Sequence, residues 1–286
     1  MTVAAGQKIA SPSIGVFDSG IGGLSILAAV KSKVPSARFV YAADNAHFPY
    51  GTRSRDEIIK LTSATVRAML KRAKLDIVII ACNTASTAAL KSLREQFSVE
   101  FVGVVPAVKP AAAATRTKCI GLLATPTTIA GDYTNDLIRS HAPEIRVVRV
   151  GSRRLVELAE LKLRGLNVAV NDVRAEIMPL FNQLFNQLSP ASSNAVDAVV
   201  LGCTHFPLLI DELKAAAPWP VAWIDSGAAV AARVADLLQA SVTDREPSES
   251  NGDHLCLVTS LADTETLRPA LLQFGFTDIE YLPVKA

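Results

Sequence analysis

Two of the four cysteines close near-copies of one segment. Leu75-Asp76-Ile77-Val78-Ile79-Ile80-Ala81-Cys82-Asn83-Thr84 is answered by Val196-Asp197-Ala198-Val199-Val200-Leu201-Gly202-Cys203-Thr204-His205. In each, an Asp stands six residues before the thiol, an apolar run follows it, and a small residue precedes the Cys. A free thiol has a pKa near ~8.5, so it can act as base or acid close to neutral pH. Placing Cys82 and Cys203 at helix starts would favour their thiolates through unpaired N–H groups and the helix dipole. Two such groups on opposite sides of one carbon could take a proton from one face and return one to the other. That inverts a stereocentre. A lone Cys at a strand end is more often a small buried hydrophobe, but a duplicated Cys followed each time by polar residues argues for paired chemistry.

Short apolar runs that end in small and hydroxyl residues predict buried parallel strands emptying into loops. In open α/β sheets, ligands bind beyond the carboxyl ends of such strands. The duplication extends past the thiols. Ile14-Gly15-Val16-Phe17-Asp18-Ser19 matches Ile120-Gly121-Leu122-Leu123-Ala124-Thr125 at an offset of 106, and Arg38 to Tyr41 matches Arg146 to Arg149 at 108. The Cys strands differ by 121, as do Glu100 to Gly103 and Val221 to Ile224. Internal repeats of this kind define architecture. The expected fold is α/β, with two pseudo-symmetric domains, each a mainly parallel sheet flanked by helices, and an active site in the cleft between them. Residues 14–105 with 222–286 would form the first domain, residues 106–221 the second, and residues 1–13 a flexible leader. Helices are expected over Arg55 to Lys74, Thr84 to Phe97, Ser152 to Arg164, Asp172 to Leu188 (kinked at Pro179), Phe206 to Ala217 and Ala228 to Gln239. Ser241 to Asp253 reads as a surface loop. Beyond it come a strand, a helix from about Thr264 and a strand from Ile279 to Leu282, a tail expected to pack on the first half.

Composition narrows the classes. A chain of 286 residues, half of them hydrophobic, can build a sizeable core. A net charge of +2 without a long basic run gives no footprint for nucleic acid. No apolar stretch approaches the ~18 residues of a membrane span, and residues 1–13 lack the apolar region of a secretory signal. Cys119 and Cys256 sit inside apolar strands and read as structural, and four cysteines without a CxxC pair fit a reducing cytoplasm.

Other constellations explain the residues less well than the thiol pair. A metal site from Cys82, Cys203 and His205 lacks a clear fourth ligand and the usual close Cys spacing. A Cys-His-Asn hydrolase from Cys82, His205 and Asn83 leaves Cys203 unexplained. No Lys is marked for pyridoxal phosphate. Asp18-Ser19-Gly20-Ile21-Gly22-Gly23 is a weak nucleotide signal; tight-turn geometry could explain its glycines, and Asp18 could hold an ammonium group. Pro49-Tyr50-Gly51 is a turn whose amides could face a carboxylate. Thr125, Thr127 and Thr128 offer hydroxyls from the second half, with helix capping as the plain alternative.

Together, Val16 to Leu24, Pro49-Tyr50-Gly51, Ala81-Cys82-Asn83-Thr84-Ala85-Ser86 and Gly202-Cys203-Thr204-His205-Phe206-Pro207-Leu208 resemble the glutamate racemases of the aspartate/glutamate racemase superfamily. The resemblance covers roughly Ile14 to the C-terminus. It implies cofactor-independent interconversion of L- and D-glutamate for peptidoglycan synthesis in the cytoplasm, with no metal. It makes Cys82 the base for D-glutamate and Cys203 the base for L-glutamate, assisted by Asp18 and His205 respectively. Substrate would be bound by Asp18, Ser19, Pro49, Tyr50, Gly51, Asn83, Thr84, Thr125, Thr128, Thr204 and His205. Ser152 to Glu160 looks like the helix that carries a further acid in this family; Glu160 aligns best, with Glu157 on the same side. The same segment resembles members activated by UDP-N-acetylmuramoyl-L-alanine. An aspartate racemase is the nearest alternative. Some members of the family bind DNA gyrase, and this near-neutral sequence speaks neither for nor against that role.

Overall fold

The computed structural model describes residues 11–182, 195–240, 254–262 and 264–284. In the first half, strands β1 (Ser13–Asp18), β2 (Arg38–Ala43), β3 (Ile77–Ile80) and β4 (Glu100–Gly103) alternate with helices α1 (Leu24–Lys33), α2 (Arg55–Arg72) and α3 (Asn83–Gln96). Helix α4 (Val108–Ala114) leads into β5 (Cys119–Ala124), α5 (Pro126–Ala130), α6 (Asp132–His141), β6 (Arg146–Gly151), α7 (Arg154–Leu163) and α8 (Val170–Ile177). Then follow β7 (Ala198–Gly202), α9 (Ile210–Ala216), β8 (Ala222–Ile224), α10 (Gly227–Ala240), β9 (Leu255–Val258), α11 (Thr264–Gln273) and β10 (Asp278–Tyr281).

Two parallel sheets result, with strand orders β10-β9-β2-β1-β3-β4 and β6-β5-β7-β8. The shared order β2-β1-β3-β4 and β6-β5-β7-β8 is the internal repeat made visible. Register repeats as well: Ser13 lies opposite Arg38 as Cys119 lies opposite Arg146, and Ile14 opposite Ile77 as Ile120 opposite Ala198. Both faces of the larger sheet are buried. Ile14, Val16, Ile77 and Ile79 pack on one side, and Phe17, Val78 and Ile80 on the other. This double burial is why the strands read as continuous apolar runs rather than alternating ones.

Three expectations need correction. In the fourth strand, Ile77 pairs with Glu100 but Ala198 pairs with Ala222, so the true offset there exceeds the sequence match by one residue. A short apolar strand carries little to fix its register, and one residue of slip exchanges its faces. Residues 222–224 hydrogen-bond to β7, so this strand belongs with the second sheet and not, as the boundary at 222 supposed, with the first. The helix expected to run from Asp172 stops at Ile177, and Pro179 sits in a 3-10 turn over Met178–Leu180. Its expected end near Leu188, the loop Ser241 to Asp253 and most of the 1–13 leader lie outside the described residues; Ser13 already belongs to β1. The tail does return to the first sheet, where β9 pairs with β2.

The Asp before each Cys strand has a shared structural task. Asp76 Oδ2 accepts from Ser13 N–H at 2.7 Å. Asp197 accepts from Thr115 Oγ1 at 2.5 Å, Arg116 N–H at 2.7 Å and Thr117 N–H at 3.2 Å. Each carboxylate thus fastens the start of the neighbouring strand, β1 or β5, to the foot of the Cys strand. Burial opposes the Asp197 charge, but the hydrogen bonds from Thr115, Arg116 and Thr117 outweigh it and hold the carboxyl below its ordinary value. Such a group stabilises the fold above its unfolded pKa, and that contribution is lost as pH falls through the lower folded value. Asp197→Ala should therefore lower stability by about 1 kcal/mol at neutral pH, since its donors are partly solvated. Urea midpoints should show the gap between wild type and variant closing as pH falls through the acid range. A constant gap down to the lowest pH would remove this role.

Candidate active site

Strands β3 and β7 deliver their thiols to one cavity of about 250 Å³ at the carboxyl ends of both sheets. Its walls include Ser19, Pro49, Tyr50, Gly51, Cys82, Asn83, Thr84, Thr125, Cys203, Thr204 and His205. Nine of these eleven were singled out by type and motif as substrate contacts, and the other two are the thiols. Asp18 and Thr128 are not among the walls. Thr128 stands behind Thr125, its hydroxyl 3.0 Å from that of Thr125, which caps α5. Asp18 is fully buried beneath the cavity floor, where Gly20 N–H donates to it at 2.8 Å and Thr204 Oγ1 at 3.3 Å. Burial pushes its carboxyl up, against the pull of His205 and these hydrogen bonds.

The two thiols have different settings. Cys82 is the N-cap of α3, accepting from Ala85 N–H at 3.4 Å and from Ser19 Oγ at 3.5 Å. The helix start expected to favour a thiolate is opposed here: burial, with Asp18 beside it, pushes Cys82 up to about 12 despite both hydrogen bonds. Cys203 precedes only a 3-10 turn, Phe206–Leu209, so no α-helix dipole acts on it directly. Its partner is a side chain. His205 Nδ1 lies 3.9 Å from Cys203 Sγ, while Nε2 lies 2.8 Å from Glu160 Oε1. Glu160 Oε2 in turn meets Arg164 at 3.4 Å. Burial pulls His205 down, but its hydrogen bonds to Cys203 and Glu160 carry it up to about 10. Glu160, on the buried face of α7, is thus the acid that contacts His205. Glu157, its companion in the sequence, is an exposed cavity-mouth residue bonded to Arg154 at 2.9 Å.

The glycines of the Asp18–Gly23 loop serve close approach rather than left-handed backbone, since the positive φ glycines are Gly165 and Gly275. A Cβ on Gly22 would stand 2.2 Å from His205 Nδ1, and one on Gly20 would stand 2.9 Å from Phe48. Phe48 stacks obliquely on His205 with ring centroids 5.6 Å apart. Tyr50 is buried, and its hydroxyl donates to Asp44 at 2.5 Å; burial and that carboxylate push the phenol well above its usual range. Asp44 also accepts from Thr259 Oγ1 at 2.7 Å, so the Pro-Tyr-Gly turn is tied to the end of β9. Arg153 and Phe48, both cavity walls, were missed by sequence reasoning. Phe48 lies outside the motifs and Arg153 was not singled out within Ser152 to Glu160; only the tertiary approach of α7 and of the loop after β2 brings them there. Asn83 Oδ1 is buried without a hydrogen-bond partner. Among the described residues, no three His, Cys, Asp or Glu side chains converge to hold a metal ion.

Taken as chemistry, the cavity offers two thiols from different sheets, hydroxyl and amide groups between them, and one imidazole–carboxylate pair. The chain belongs to the Asp/Glu/Hydantoin racemase family, whose model matches residues 24–234. It is 44% identical over 96% of its length to a protein of Klebsiella pneumoniae (strain 342) described as glutamate racemase, covering 93% of that relative. In structure it resembles Escherichia coli glutamate racemase in complex with L-glutamate and the activator UDP-MurNAc-ala, with a TM-score of 0.88 and 39% identity over 96% of this chain and 100% of that one. It also resembles the RacE1 isoform from Bacillus anthracis, with a TM-score of 0.77 and 26% identity, covering 96% and 99% of the two chains.

The Gly22–His205 contact predicts a specific coupling. Gly22→Ala should cost about 1–3 kcal/mol through overpacking. Adding His205→Ala removes the ring that the new methyl strikes, so the double variant should recover most of that loss relative to His205→Ala alone. Chemical denaturation of all four proteins measures the cycle. Simple additivity would show that the ring is not what excludes a side chain at Gly22.

Proposed function

We propose that this protein interconverts L- and D-glutamate by two-base proton transfer between Cys82 and Cys203, without a cofactor. The observation that carries the reading is the arrival of two thiols, on matched strands of different sheets, at one cavity. Membership of the family and the similarity to glutamate racemases support the reaction class. Racemisation needs a proton removed from one face of the α-carbon and another delivered to the opposite face. One thiolate takes the first while the opposite thiol gives the second, so each turnover exchanges the roles of the two sulfurs. No electron leaves or enters, so the two thiols supply all the proton-transfer groups the reaction requires.

The α-proton is far less acidic than a thiol, so stabilisation of the developing carbanion must come from hydrogen bonds to the substrate carboxylate. Asn83, Thr84 and Thr204 are the donors we assign, with Ser19 and the Pro49-Tyr50-Gly51 turn completing the binding set. The unpartnered Asn83 Oδ1 is suited to accept from the substrate ammonium. Cys82, with Asp18 behind it, serves D-glutamate; Cys203, with His205 and Glu160 behind it, serves L-glutamate. The E. coli protein was crystallised with an activator, UDP-MurNAc-ala, and we extend to this chain the same activation, together with a role in cytoplasmic supply of D-glutamate for peptidoglycan. No helix among the described residues is long and apolar enough to cross a membrane.

In deuterated water, early D-glutamate formed from L-glutamate should carry solvent deuterium at the α-carbon while residual substrate stays almost unlabelled. Deuterium washed into substrate ahead of inversion would mean a single base. Cys82→Ala and Cys203→Ala should each abolish racemisation, whereas Cys119→Ala and Cys256→Ala should cost only packing stability, ~1 kcal/mol for a small buried side chain. L-aspartate assayed alongside decides against the aspartate alternative if it is turned over poorly.

Asp18→Asn and His205→Asn should fold normally and slow turnover on the order of 10²-fold or more, as expected for groups that assist proton transfer. The kcat loss should be larger from D-glutamate for Asp18 and from L-glutamate for His205. Equal kcat losses in both directions from both variants would remove these role assignments.

A further inference from the structure

Helix α7 presents one face to the cavity from mouth to floor. Arg153, which precedes its first turn, and Val156 and Glu157, three and four residues on, all line the walls. Glu160, a further turn along the same face, contacts His205 beside Cys203. At ~1.5 Å of rise per residue, the levels of Arg153 and Glu160 are about 10 Å apart along the helix. The backbone at Arg153 is pinned. Ser152 N–H donates to Ala124 O at 2.9 Å, and the buried Ser152 hydroxyl accepts from Leu155 N–H at 3.0 Å and donates to Glu176 at 2.6 Å. The end of β6 also abuts the facing side of the mouth. A Cβ on Gly151 would stand 3.1 Å from Pro126 Cα, and one on Gly51 would stand 3.5 Å from Thr125 Cβ. Arg153 thus shares the mouth with Thr125 and the Pro-Tyr-Gly turn.

Apart from the His205 imidazole, Arg153 is the only cationic side chain on the walls that the described residues form. The Glu157 carboxylate beside it is taken by Arg154 at 2.9 Å, and among the described residues the Arg153 guanidinium has no hydrogen bond or ion pair. An amino dicarboxylate brings two carboxylates and one ammonium. Asn83, Thr84 and Thr204, the donors assigned above, meet the carboxylate on the α-carbon. The second would enter as an unpaired charge, which is costly unless a cation meets it. We propose that Arg153 is the specificity-determining residue of this site: its guanidinium receives the side-chain carboxylate of a five-carbon amino dicarboxylate. The placement rests on the racemase reading, which sets the α-carbon between the thiols. From there the carboxylate of aspartate stops one methylene short of the mouth, and the amide of glutamine arrives without charge. A planar guanidinium meets a carboxylate with two parallel hydrogen bonds, so it selects the position of the group as well as its sign. Arg153 touches substrate far from the reacting carbon, so it acts on binding and leaves the proton transfer itself little changed.

The test compares initial rates on L-glutamate for the full-length wild type, Arg153→Gln and Arg153→Lys. Arg153→Gln should raise KM about 10-fold, as for loss of a charge-assisted hydrogen-bonded pair, and change kcat less than about 3-fold. Arg153→Lys keeps the charge without the fork and should raise KM about 3-fold; it serves alone if the first variant does not fold. The guanidinium has no protein partner to lose, so both variants should keep the wild-type urea midpoint, which separates lost binding from lost structure. An unmoved KM in a folded variant, or a loss confined to kcat, would overturn the proposal. Racemisation by the wild type with KM unmoved by Arg153→Gln strikes this proposal alone. No racemisation by the wild type strikes the glutamate reading, and calorimetric titration of the same three proteins with L-glutamate then decides this one. Affinity weakened about 10-fold by Arg153→Gln supports it, whereas equal affinity or no binding overturns it.

Discussion

The site depends on the space left by Gly22. That glycine lets the His205 ring from the second half settle against the loop that closes β1 in the first half. Around this contact the halves are fastened by polar bonds. Ser25 Oγ donates to Thr204 O at 2.8 Å, Thr204 Oγ1 donates to Asp18 at 3.3 Å, and Thr127 Oγ1 donates to Gly51 O at 2.5 Å. With a side chain at Gly22 the ring could not sit between Cys203 and Glu160. The thiol would lose its imidazole, and the Glu160 carboxylate would keep only Arg164. Here one missing methyl group positions three functional side chains.

The duplication supplies two equivalent thiols, but the groups that assist them are not equivalent. By register, Ser19 corresponds to Thr125 and both line the cavity, so binding hydroxyls are kept in both halves. Asp18 corresponds to Ala124, and Thr84 corresponds to His205. Each half thus carries a titratable side chain at a position where the other half has a neutral one. Cys82 gains a buried acid beneath the floor, and Cys203 gains an imidazole tied to Glu160 on α7. Placing an acid and a base at both positions would bury four titratable groups around a cavity of about 250 Å³, where unpaired burial is costly.

Much of this was readable in the residues because parallel strands buried on both faces leave continuous apolar runs, as in Ile77 to Ile80 and Ala198 to Gly202. The paired cysteines, the repeat and the return of the chain to the first sheet all follow from those runs. What escaped depends on approach between distant segments. Glu160 was visible as a helix acid, but its hydrogen bond to His205 was not. The loop glycines looked like turn residues, whereas the atoms that exclude a side chain belong to Phe48 at Gly20, His205 at Gly22 and Asp18 at Gly23. Thr128 looked interchangeable with Thr125, yet only Thr125 lines the cavity, and its hydroxyl is engaged with Thr128 as the cap of α5. The upward push on Cys82 escaped for a similar reason: a helix start is local and legible, whereas burial beside Asp18 is neither.

An unequal pair of thiols raises the question of how such a site could serve a reaction whose two directions are mirror images. Enantiomers in water have the same free energy, so the ratio of the two kcat/KM values is fixed at unity for the wild type and for every variant. Asymmetry in the protein cannot favour one product. It can only divide the same barrier differently, between how readily the free protein accepts each enantiomer and how fast the bound form turns over. Asp18 beside Cys82 and the His205–Glu160 pair beside Cys203 make the two sides of the site unequal without moving that equilibrium. The symmetry demanded by the substrate is therefore met by thermodynamics, and the two halves of the protein are free to differ.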